Sequence, residues 1–176
     1  MRDTFCECVG HMTPLLVVMG VSGSGKSTIG RLLAEKLGVP FTDADDLHPE
    51  ANTRKMAGGH PLDDEDRWLW LRRVGEELAN SRDTGRVMAC SALKRSYRDA
   101  ILAIEPRAFF VELDGNRALL EERLQARRDH FMPGSLLGSQ LDTLESLQAS
   151  EPGVAVSVAA APIEVVVEIQ RKLAAL

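Results

Sequence analysis

The sequence is organised around a glycine-rich turn, Gly20-Val21-Ser22-Gly23-Ser24-Gly25-Lys26-Ser27-Thr28. An apolar run precedes this turn, and apolar residues at helical spacing follow it, which predicts a strand, a turn and a helix N-terminus in that order. Together with the G-x-x-x-x-G-K-[ST] pattern, this order predicts a phosphate-binding loop. Glycine- and serine-rich turns also serve as plain linkers, but the flanking strand and amphipathic helix favour phosphate binding.

Each part of the loop has a predicted role in binding a nucleotide. Glycine adopts backbone angles that are closed to other residues, so the loop can turn successive N–H groups towards an anion. The helix that follows adds the positive end of its dipole. Lys26 is predicted to reach the β- and γ-phosphates, and the Ser27 hydroxyl is predicted to bind Mg²⁺. The residues expected to bind ATP here are Gly20, Ser22, Gly23, Ser24, Gly25, Lys26, Ser27 and Thr28.

The composition predicts one soluble globular domain. The chain has 176 residues, of which 44% are hydrophobic and 27% charged, and this is enough for a sizeable core. The net charge of −5 argues against a general nucleic-acid binder and against a protein of the membrane surface. No apolar run approaches the length of a membrane span, and the N-terminus lacks the features of a signal peptide, so we expect a cytoplasmic protein.

The first eleven residues differ from the rest because they show no hydrophobic periodicity. Cys6 and Cys8 form a C-x-C pair with only His11 nearby, which are too few ligands for zinc, so reduced thiols are the simpler interpretation. We therefore expect residues 1–11 to be a poorly ordered tail and residues 12–176 to form a single domain.

Apolar strands alternate with amphipathic helices along this domain. Strands are predicted at 15–19, 39–42, 86–90, 108–113 and 154–158. One intervening helix is expected to carry Trp68, Leu71, Val74 and Leu78 on one face, and others are expected over 135–149 and from Pro162. Such alternation predicts a three-layer α/β domain, with a central, mostly parallel five-stranded sheet and helices on both faces.

Two aspartates, Asp43 and Asp45, follow the second predicted strand. Ligands of an open parallel sheet gather at the carboxyl ends of its strands, and residues two apart in an extended segment point to the same side. Asp43 is therefore predicted to support Mg²⁺ and Asp45 to accept a proton from an attacking hydroxyl, with a solvated acidic turn as the alternative. The third strand ends in Cys90-Ser91 instead of an aspartate, so metal binding must rely on Ser27 and Asp43.

Arg123 and Arg127 are four residues apart on one predicted helix and therefore share a face. A segment rich in helix breakers follows them, which predicts a mobile lid at about 127–134 that closes over ATP. Two guanidinium groups at the base of this lid would neutralise phosphate charge during transfer. Ion pairs with Glu121 or Glu122 on a surface helix explain the same spacing equally well.

Four further side chains have an ordinary structural explanation. Arg67 follows a run of acids, which predicts ion pairs, although an arginine also binds a substrate carboxylate bidentately. His48 is by default a capping or buried histidine. Trp68 and Trp70 are by default core residues.

Several blocks of the chain together resemble the small P-loop gluconokinases, which are related to shikimate kinase and to the nucleoside monophosphate kinases. Besides the loop, the blocks are Asp43-Ala44-Asp45-Asp46-Leu47-His48-Pro49, Gly59-His60-Pro61-Leu62-Asp63-Asp64-Glu65-Asp66-Arg67, Cys90-Ser91-Ala92-Leu93-Lys94-Arg95-Ser96-Tyr97-Arg98-Asp99, Arg123 to Arg127 with His130-Phe131, and Ser139-Gln140. Together with Asn52, Lys55-Met56 and Thr143-Leu144-Glu145, they extend from about Leu15 to Gly153, most of the chain. Two residues depart from the family pattern. Ala44 occupies a position that is usually glycine, and Leu69 occupies one that is often proline.

The resemblance implies a P-loop kinase fold with a mobile lid, and an enzyme that uses ATP and Mg²⁺ to phosphorylate D-gluconate to 6-phosphogluconate. It implies that Asp45 is the base, that Lys26 and Arg127 are the other catalytic groups, and that Arg67 binds the substrate carboxylate. Arg123 is expected to clamp ATP together with Arg127. The residues expected to contact the sugar acid are Asp45, His48, Lys55, Arg67, Ser91, Lys94 and Arg98.

Two other functions are compatible with the same sequence. The nearest is a kinase for another small acceptor, such as a shikimate-like acid or a nucleoside monophosphate, although Ser91-Ala92 stands where a glycine triplet is expected for shikimate. A non-catalytic ATP sensor is a more distant alternative, and Asp45 argues against it because a sensor needs no acceptor base. Related kinases suggest a homodimer.

Overall fold

The computed structural model describes residues 13–126 and 134–176. The predicted tail, residues 1–11, lies outside these residues, as do nearly all of the predicted lid and Arg127 itself.

A five-stranded parallel sheet forms the centre of the domain. Its strands are β1 (Leu15–Met19), β2 (Phe41–Asp43), β3 (Arg86–Ala89), β4 (Phe109–Asp114) and β5 (Gly153–Ser157). They lie in the order β2-β3-β1-β4-β5, and each neighbouring pair is parallel. The predicted five-stranded sheet is therefore confirmed.

Within the described residues, seven α-helices connect and flank these strands. They are α1 (Lys26–Leu37), α2 (Glu50–Ala57), α3 (Asp64–Ala79), α4 (Arg95–Leu102), α5 (Arg117–Ala126), α6 (Gly134–Thr143) and α7 (Pro162–Leu173). A short 3₁₀ turn, Ala44–Leu47, joins β2 to α2. None of the described helices is long and apolar enough to cross a membrane.

Side chains of β1 divide the core into two layers because successive residues of a strand point to opposite faces of the sheet. Leu15, Val17 and Met19 belong to a buried cluster with residues of α3 and α4. Leu16 and Val18 belong to a second buried cluster with residues of α1 and α7. The sheet thus has a helical layer on each face, which confirms the predicted three-layer α/β architecture.

The tryptophans of α3 differ from the prediction. Trp70 is buried at 2% exposure and its Nε1 donates to the carbonyl oxygen of Ala44 at 2.6 Å, whereas Trp68 is 42% exposed. The buried face of α3 centres on Val74 and Leu78, and helical geometry sets Trp68 about 90° from that centre. Trp68 is therefore not a core residue, and its ring packs edge-on against Tyr97 instead.

Helix α6 is shorter than the predicted 135–149 because it ends at Thr143. The chain beyond it runs along the sheet, where Leu147 donates its N–H to the carboxylate of Glu112 at 2.8 Å. Glu112 is a buried residue of β4, and its carboxylate needs a hydrogen-bond donor. The N–H of Leu147 serves as that donor and is therefore not part of a continued α6.

Candidate functional site

The phosphate loop joins β1 to α1 with backbone angles that suit glycine. The φ angle is 142° at Gly20, 82° at Gly23 and 93° at Gly25. Gly25 is the N-cap residue of α1 and has no side chain to cap it, so the first turn of the helix can receive an anion there. Ser24 is fully buried, and its hydroxyl has no hydrogen-bond partner among the described residues. The loop therefore fits a bound phosphate group.

Lys26 is the first residue of α1 and folds back over the loop. Its Nζ donates to the carbonyl oxygen of Val21 at 3.0 Å. The positive charge of the same ammonium lowers the pKa of Asp45, whereas burial and the charge of Asp43 raise it. Lys26 is therefore close enough to Asp45 to interact with its carboxyl. The structure thus brings the phosphate lysine and the predicted base to one site.

Ser27 and Asp43 are in direct contact, as the sequence predicts for a metal site. The Ser27 hydroxyl donates to one Asp43 oxygen at 2.8 Å, and the other Asp43 oxygen accepts the backbone N–H of Asp45 at 3.2 Å. A hydroxyl and a carboxylate are the kind of oxygen donors that Mg²⁺ prefers. The described residues contain no cluster of three or more His, Cys, Asp or Glu side chains that could hold a metal. An ion bound here would therefore depend on ligands besides these two.

Asp45 lies in the 3₁₀ turn after β2, where the residue as a whole is exposed but protein atoms crowd its carboxyl group. This desolvation is the largest influence on its pKa, which it raises, and the neighbouring charge of Asp43 raises the pKa further. A raised pKa makes the carboxylate a stronger base, as proton abstraction from a hydroxyl requires.

His48 follows the same turn and is held by an aromatic neighbour. Its ring stacks on Trp70 with ring centroids 4.4 Å apart and nearly parallel planes. Asn52 approaches the His48 Nδ1 at 3.5 Å and donates to the carbonyl oxygen of Asp66 at 2.7 Å. Burial lowers the pKa of His48, and the nearby charge of Arg67 lowers it further, so the ring is neutral at pH 7.

A group of polar side chains joins α3 to α4, and we call it the α3–α4 cluster: Asp64, Arg67, Lys94 and Tyr97. Lys94 Nζ lies 3.0 and 2.7 Å from the two carboxylate oxygens of Asp64, and the Tyr97 hydroxyl donates to the first of them. Arg67 lies 3.5 Å from Asp64 and 3.4 Å from the Tyr97 hydroxyl oxygen. Lys94 and Tyr97 hold the pKa of Asp64 below its ordinary value, while Asp64 raises the pKa of Lys94. The predicted Arg67 and Lys94 are thus brought together.

Lys55 forms ion pairs with the two aspartates that cap the N-terminus of α3. Asp63 caps this helix in a reciprocal capping box with Asp66, and each of the two backbone N–H groups donates at 2.9 Å. Lys55 lies 3.2 Å from Asp63 and forms an ion pair with Asp66 as well. Its ammonium therefore supports the entry to α3, next to the α3–α4 cluster.

Ser91 and Lys94 belong to the connection between β3 and α4. The carbonyl oxygen of Ser91 accepts the N–H of Gly20 at 3.3 Å, which places Ser91 beside the phosphate loop. Ala92 has a φ of 41°, a strained value for a residue other than glycine. Cys90 is buried, and burial raises the pKa of its thiol to about 12, so the thiol stays protonated.

Arg98, which the resemblance assigns to the sugar acid, lies fully buried beneath the connection from β3 to α4. Its side chain is fully buried and forms a bidentate ion pair with Glu151, at 2.5 and 2.9 Å. It also donates to the carbonyl oxygens of Ala92 at 3.1 Å and of Glu145 at 2.9 Å. Arg98 therefore supports the strained connection between β3 and α4, and its guanidinium is satisfied by protein groups.

A cavity of about 320 Å³ adjoins the phosphate loop. Thr28 and Arg123 lie in its wall, and Arg123 also donates to the carbonyl oxygen of Val158 at 2.6 Å. The other lining residues are Gly23, Gly25, Ile29, Ala126, Val158, Ala160, Pro162 and Val165. The sequence predicts Gly23, Gly25, Thr28 and Arg123 as ATP-binding residues but not the part of the wall that follows β5, because small and apolar residues there carry no local signal of a binding role.

Gln140 of α6 is a further residue whose contact the sequence did not predict. Its side-chain oxygen accepts the backbone N–H of Ser22 at 2.6 Å. This contact ties α6 to one of the loop amides predicted to bind phosphate. The motif Ser139-Gln140 was the only signal, and it carried no indication of the partner.

The parallel sheet, the phosphate loop and the aspartates after β2 define the class of this protein, which is a P-loop kinase. The family model described as "Shikimate kinase" matches residues 22–136, more than half of the chain. Solved structures with low sequence identity share the fold. The shikimate kinase from Aquifex aeolicus is 22% identical, with a TM-score of 0.55 over 90% of this chain and 94% of that one.

Relatives with higher sequence identity point to one branch of this class. The chain is 46% identical over 151 residues to the gluconokinase of Gluconobacter oxydans, covering 85% of each protein. It is 45% identical over 141 residues to the thermosensitive gluconokinase of Escherichia coli, covering 78% of this chain and 75% of that protein. A gluconokinase structure from Sinorhizobium meliloti has a TM-score of 0.84 at 51% identity, covering 92% and 91% of the two chains. The chain belongs to the gluconokinase family.

Proposed function

We propose that this protein transfers the γ-phosphoryl group of ATP to the terminal hydroxyl of D-gluconate and forms 6-phospho-D-gluconate and ADP. The observation that carries the proposal is the position of Asp45. The charge of Lys26 lowers the pKa of Asp45 from the side of the phosphate loop, while the charge of Arg67 lowers the pKa of His48, the residue that follows the same turn. This arrangement supports the proposal that Asp45 is a base at the phosphate loop, with a cationic site for an acid group beyond His48.

In the proposed reaction, the Asp45 carboxylate accepts the proton of the acceptor hydroxyl. The freed oxygen then forms a bond to the γ-phosphorus, and the bond from that phosphorus to the β–γ bridging oxygen breaks as ADP leaves. The raised pKa of Asp45 favours the proton transfer. Lys26 and the loop amides neutralise the transferred charge, and Arg123 and Arg127 are proposed to do so from the other side.

Mg²⁺ fits the contact between Ser27 and Asp43, which would hold it in this proposal. The ion would supply charge neutralisation at the phosphates, and nucleotide oxygens and water would complete its coordination, as is usual for Mg²⁺. Both side chains are already positioned by the hydrogen bond that joins them.

The acceptor is proposed to lie between Asp45 and the α3–α4 cluster. Arg67 and Lys94 provide the cations for its carboxylate, and neutral His48 provides a partner for a hydroxyl. Lys55 and Ser91 lie at the edges of this region. Since the reaction consumes ATP, we propose that the protein acts in the cytoplasm. Related kinases suggest a homodimer, and light scattering can test this.

The test is an ADP-release assay with purified protein, ATP, Mg²⁺ and a panel of acceptors: D-gluconate, shikimate and nucleoside monophosphates. We expect turnover with gluconate. The shikimate kinase description of the matching family model makes a shikimate-like acid the second candidate. Activity with shikimate or a nucleotide alone would overturn the gluconate assignment, and ATP binding without turnover of any acceptor would favour the sensor.

A further inference from the structure

The α3–α4 cluster already contains a carboxylate at the place where the proposed acceptor needs cations. Lys94 Nζ lies within 3.0 Å of both Asp64 oxygens, and Arg67 lies 3.5 Å from one of them. The Tyr97 hydroxyl donates to that same oxygen. An acid group that binds Arg67 and Lys94 must therefore displace Asp64 or share these donors with it.

Asp64 is not needed to start α3. Asp63 caps the helix, and its reciprocal partner in the capping box is Asp66, which leaves Asp64 outside that arrangement. The Asp64 side chain is 46% exposed. Its carboxylate is thus held mainly by Lys94, Tyr97 and Arg67, the groups that face the proposed acceptor.

The other charged residues beside Asp64 are paired or exposed. Lys55 is engaged by Asp63 and Asp66, so it adds no uncommitted cation to the site. Glu65, the next residue along the helix, is exposed and makes no ion pair within the part of the chain that the structure describes. Asp64 is therefore the anion that an incoming acid group meets first.

We propose that Asp64 limits how strongly the site binds acids of higher negative charge, because it keeps a negative charge beside the two cations that receive the acceptor's acid group. This inference rests on the proposed function. An acceptor with one negative charge is attracted by Arg67 and Lys94 and repelled once by Asp64. An acceptor with two charges at that end is both attracted and repelled twice as strongly, so Asp64 removes part of the advantage that Arg67 and Lys94 alone would give a dianionic acid over a monoanionic one.

Coulomb's law sets the expected size of this selection. Two unit charges about 5 Å apart in water repel enough to weaken binding about fourfold. Because the energy is proportional to the ligand's charge, the same repulsion weakens a dianion about sixteenfold. The ratio between the two ligands separates a charge effect from a general loss of site structure.

The test compares Asp64→Asn with Glu65→Gln. Each variant removes one negative charge from the first turn of α3, but only the first changes the α3–α4 cluster, and asparagine keeps an oxygen for Lys94 and Tyr97. The ligands are gluconate, the neutral gluconamide and the gluconate analogue in which a dianionic phosphonate replaces the carboxylate. Calorimetry measures their Kd with a non-hydrolysable ATP analogue bound, and turnover of gluconate is measured in parallel.

In Asp64→Asn, we expect gluconate to bind about fourfold and the phosphonate about sixteenfold more tightly than in the wild type, with gluconamide unchanged. Glu65→Gln should alter all three by less than about twofold, since its charge is exposed and screened. Asp64→Glu keeps the charge and should bind the three ligands with the wild-type order of Kd values. This variant keeps the proposal testable if asparagine disturbs folding.

Equal weakening of all three ligands in Asp64→Asn would overturn the inference and show that Asp64 only orients Arg67 and Lys94. An unchanged phosphonate-to-gluconate ratio would overturn it as well. Absence of gluconate turnover in the wild type would instead be a failure of the proposed function, so the two failures are distinct.

Discussion

The phosphate side and the acceptor side of the site hold their polar groups in different ways. On the phosphate side, the groups belong to one stretch of chain, and glycine backbone angles at Gly20, Gly23 and Gly25 set their direction. On the acceptor side, they come from separate helices and hold each other, as Lys94 does with Asp64 and Lys55 with Asp66. A backbone cradle leaves its donors directed at the ligand, whereas side chains that pair with one another must exchange partners when a ligand arrives.

This difference predicts two kinds of effect for substitutions in the site. Changes at the centre of the site, where both sides meet, should lower turnover. Changes on the acceptor side should alter the affinity for the acceptor and leave that for the nucleotide nearly unchanged. The variants below test this contrast.

Asp45→Asn should have the largest effect, because Asp45 is the group that both sides share. We expect kcat to fall by about 10³-fold, the usual range for loss of a general base, with the Kd for an ATP analogue within about twofold of the wild type. Steady-state kinetics and calorimetry measure both. Turnover close to that of the wild type would show that another group accepts the proton.

The raised pKa of Asp45 adds a signature in pH. The base acts only when ionised, so kcat/KM should fall as the pH drops through this raised pKa. A raised pKa in the folded state also means that the folded protein binds the proton more tightly than the unfolded chain does. The stability that this provides is present in acid and is lost as the pH rises through the folded pKa, so Asp45→Asn should have a higher Tm than the wild type at pH 7.

Arg98→Met should lower stability instead of changing acceptor affinity. It leaves the buried Glu151 carboxylate without its guanidinium partner, and breaking a buried pair in this way costs about 3–5 kcal/mol. Denaturant unfolding measures the loss, and Arg98→Met combined with Glu151→Leu should recover part of it. A gluconate KM raised by tenfold or more in protein that remains folded would restore Arg98 to the acceptor site.

Arg98 and Arg67 also show which parts of the site the sequence can predict. The same resemblance indicated that both bind the sugar acid, yet one is buried against Glu151 and the other lies in the α3–α4 cluster. The partner of Arg98 is far away along the chain, so no local pattern reveals that its guanidinium is satisfied. The phosphate loop was predictable because a single stretch contains the whole pattern, including the strand and helix on either side.

Contacts between distant elements follow the same rule. The Ser27–Asp43 contact could be predicted because the phosphate loop that leads from β1 to Ser27 and the end of β2 at Asp43 lie at the same carboxyl edge of a parallel sheet. The wall of the cavity after β5 and the contact of Gln140 could not, because they depend on how α6 and α7 pack. The exposure of Trp68, predicted to be a core residue together with Trp70, likewise depends on which face of α3 packs against the sheet and α4.

Arg67→Ala should raise the KM for gluconate by about 10- to 100-fold, the value of one or two charge-assisted hydrogen bonds. The KM for ATP should change by less than about threefold, because Arg67 lies on the acceptor side. The matched control is Arg72→Ala, which removes an exposed arginine of α3 that pairs with Glu76. A larger change for ATP than for gluconate would contradict the carboxylate role.

Gln140→Ala should have the smallest effect, and its direction shows whether the phosphate side also contains a group that must change partners. The Gln140 oxygen occupies the N–H of Ser22, which the proposed function assigns to ATP. If a phosphate oxygen must replace it, removing the side chain should tighten binding of an ATP analogue by about two- to tenfold, the net value of one hydrogen bond. Gln148→Ala, which removes an exposed partner of Arg95, is the control and should leave the Kd unchanged. Weaker binding in Gln140→Ala would mean that Gln140 stays on Ser22 with ATP bound, and that the phosphate side is held by its backbone throughout.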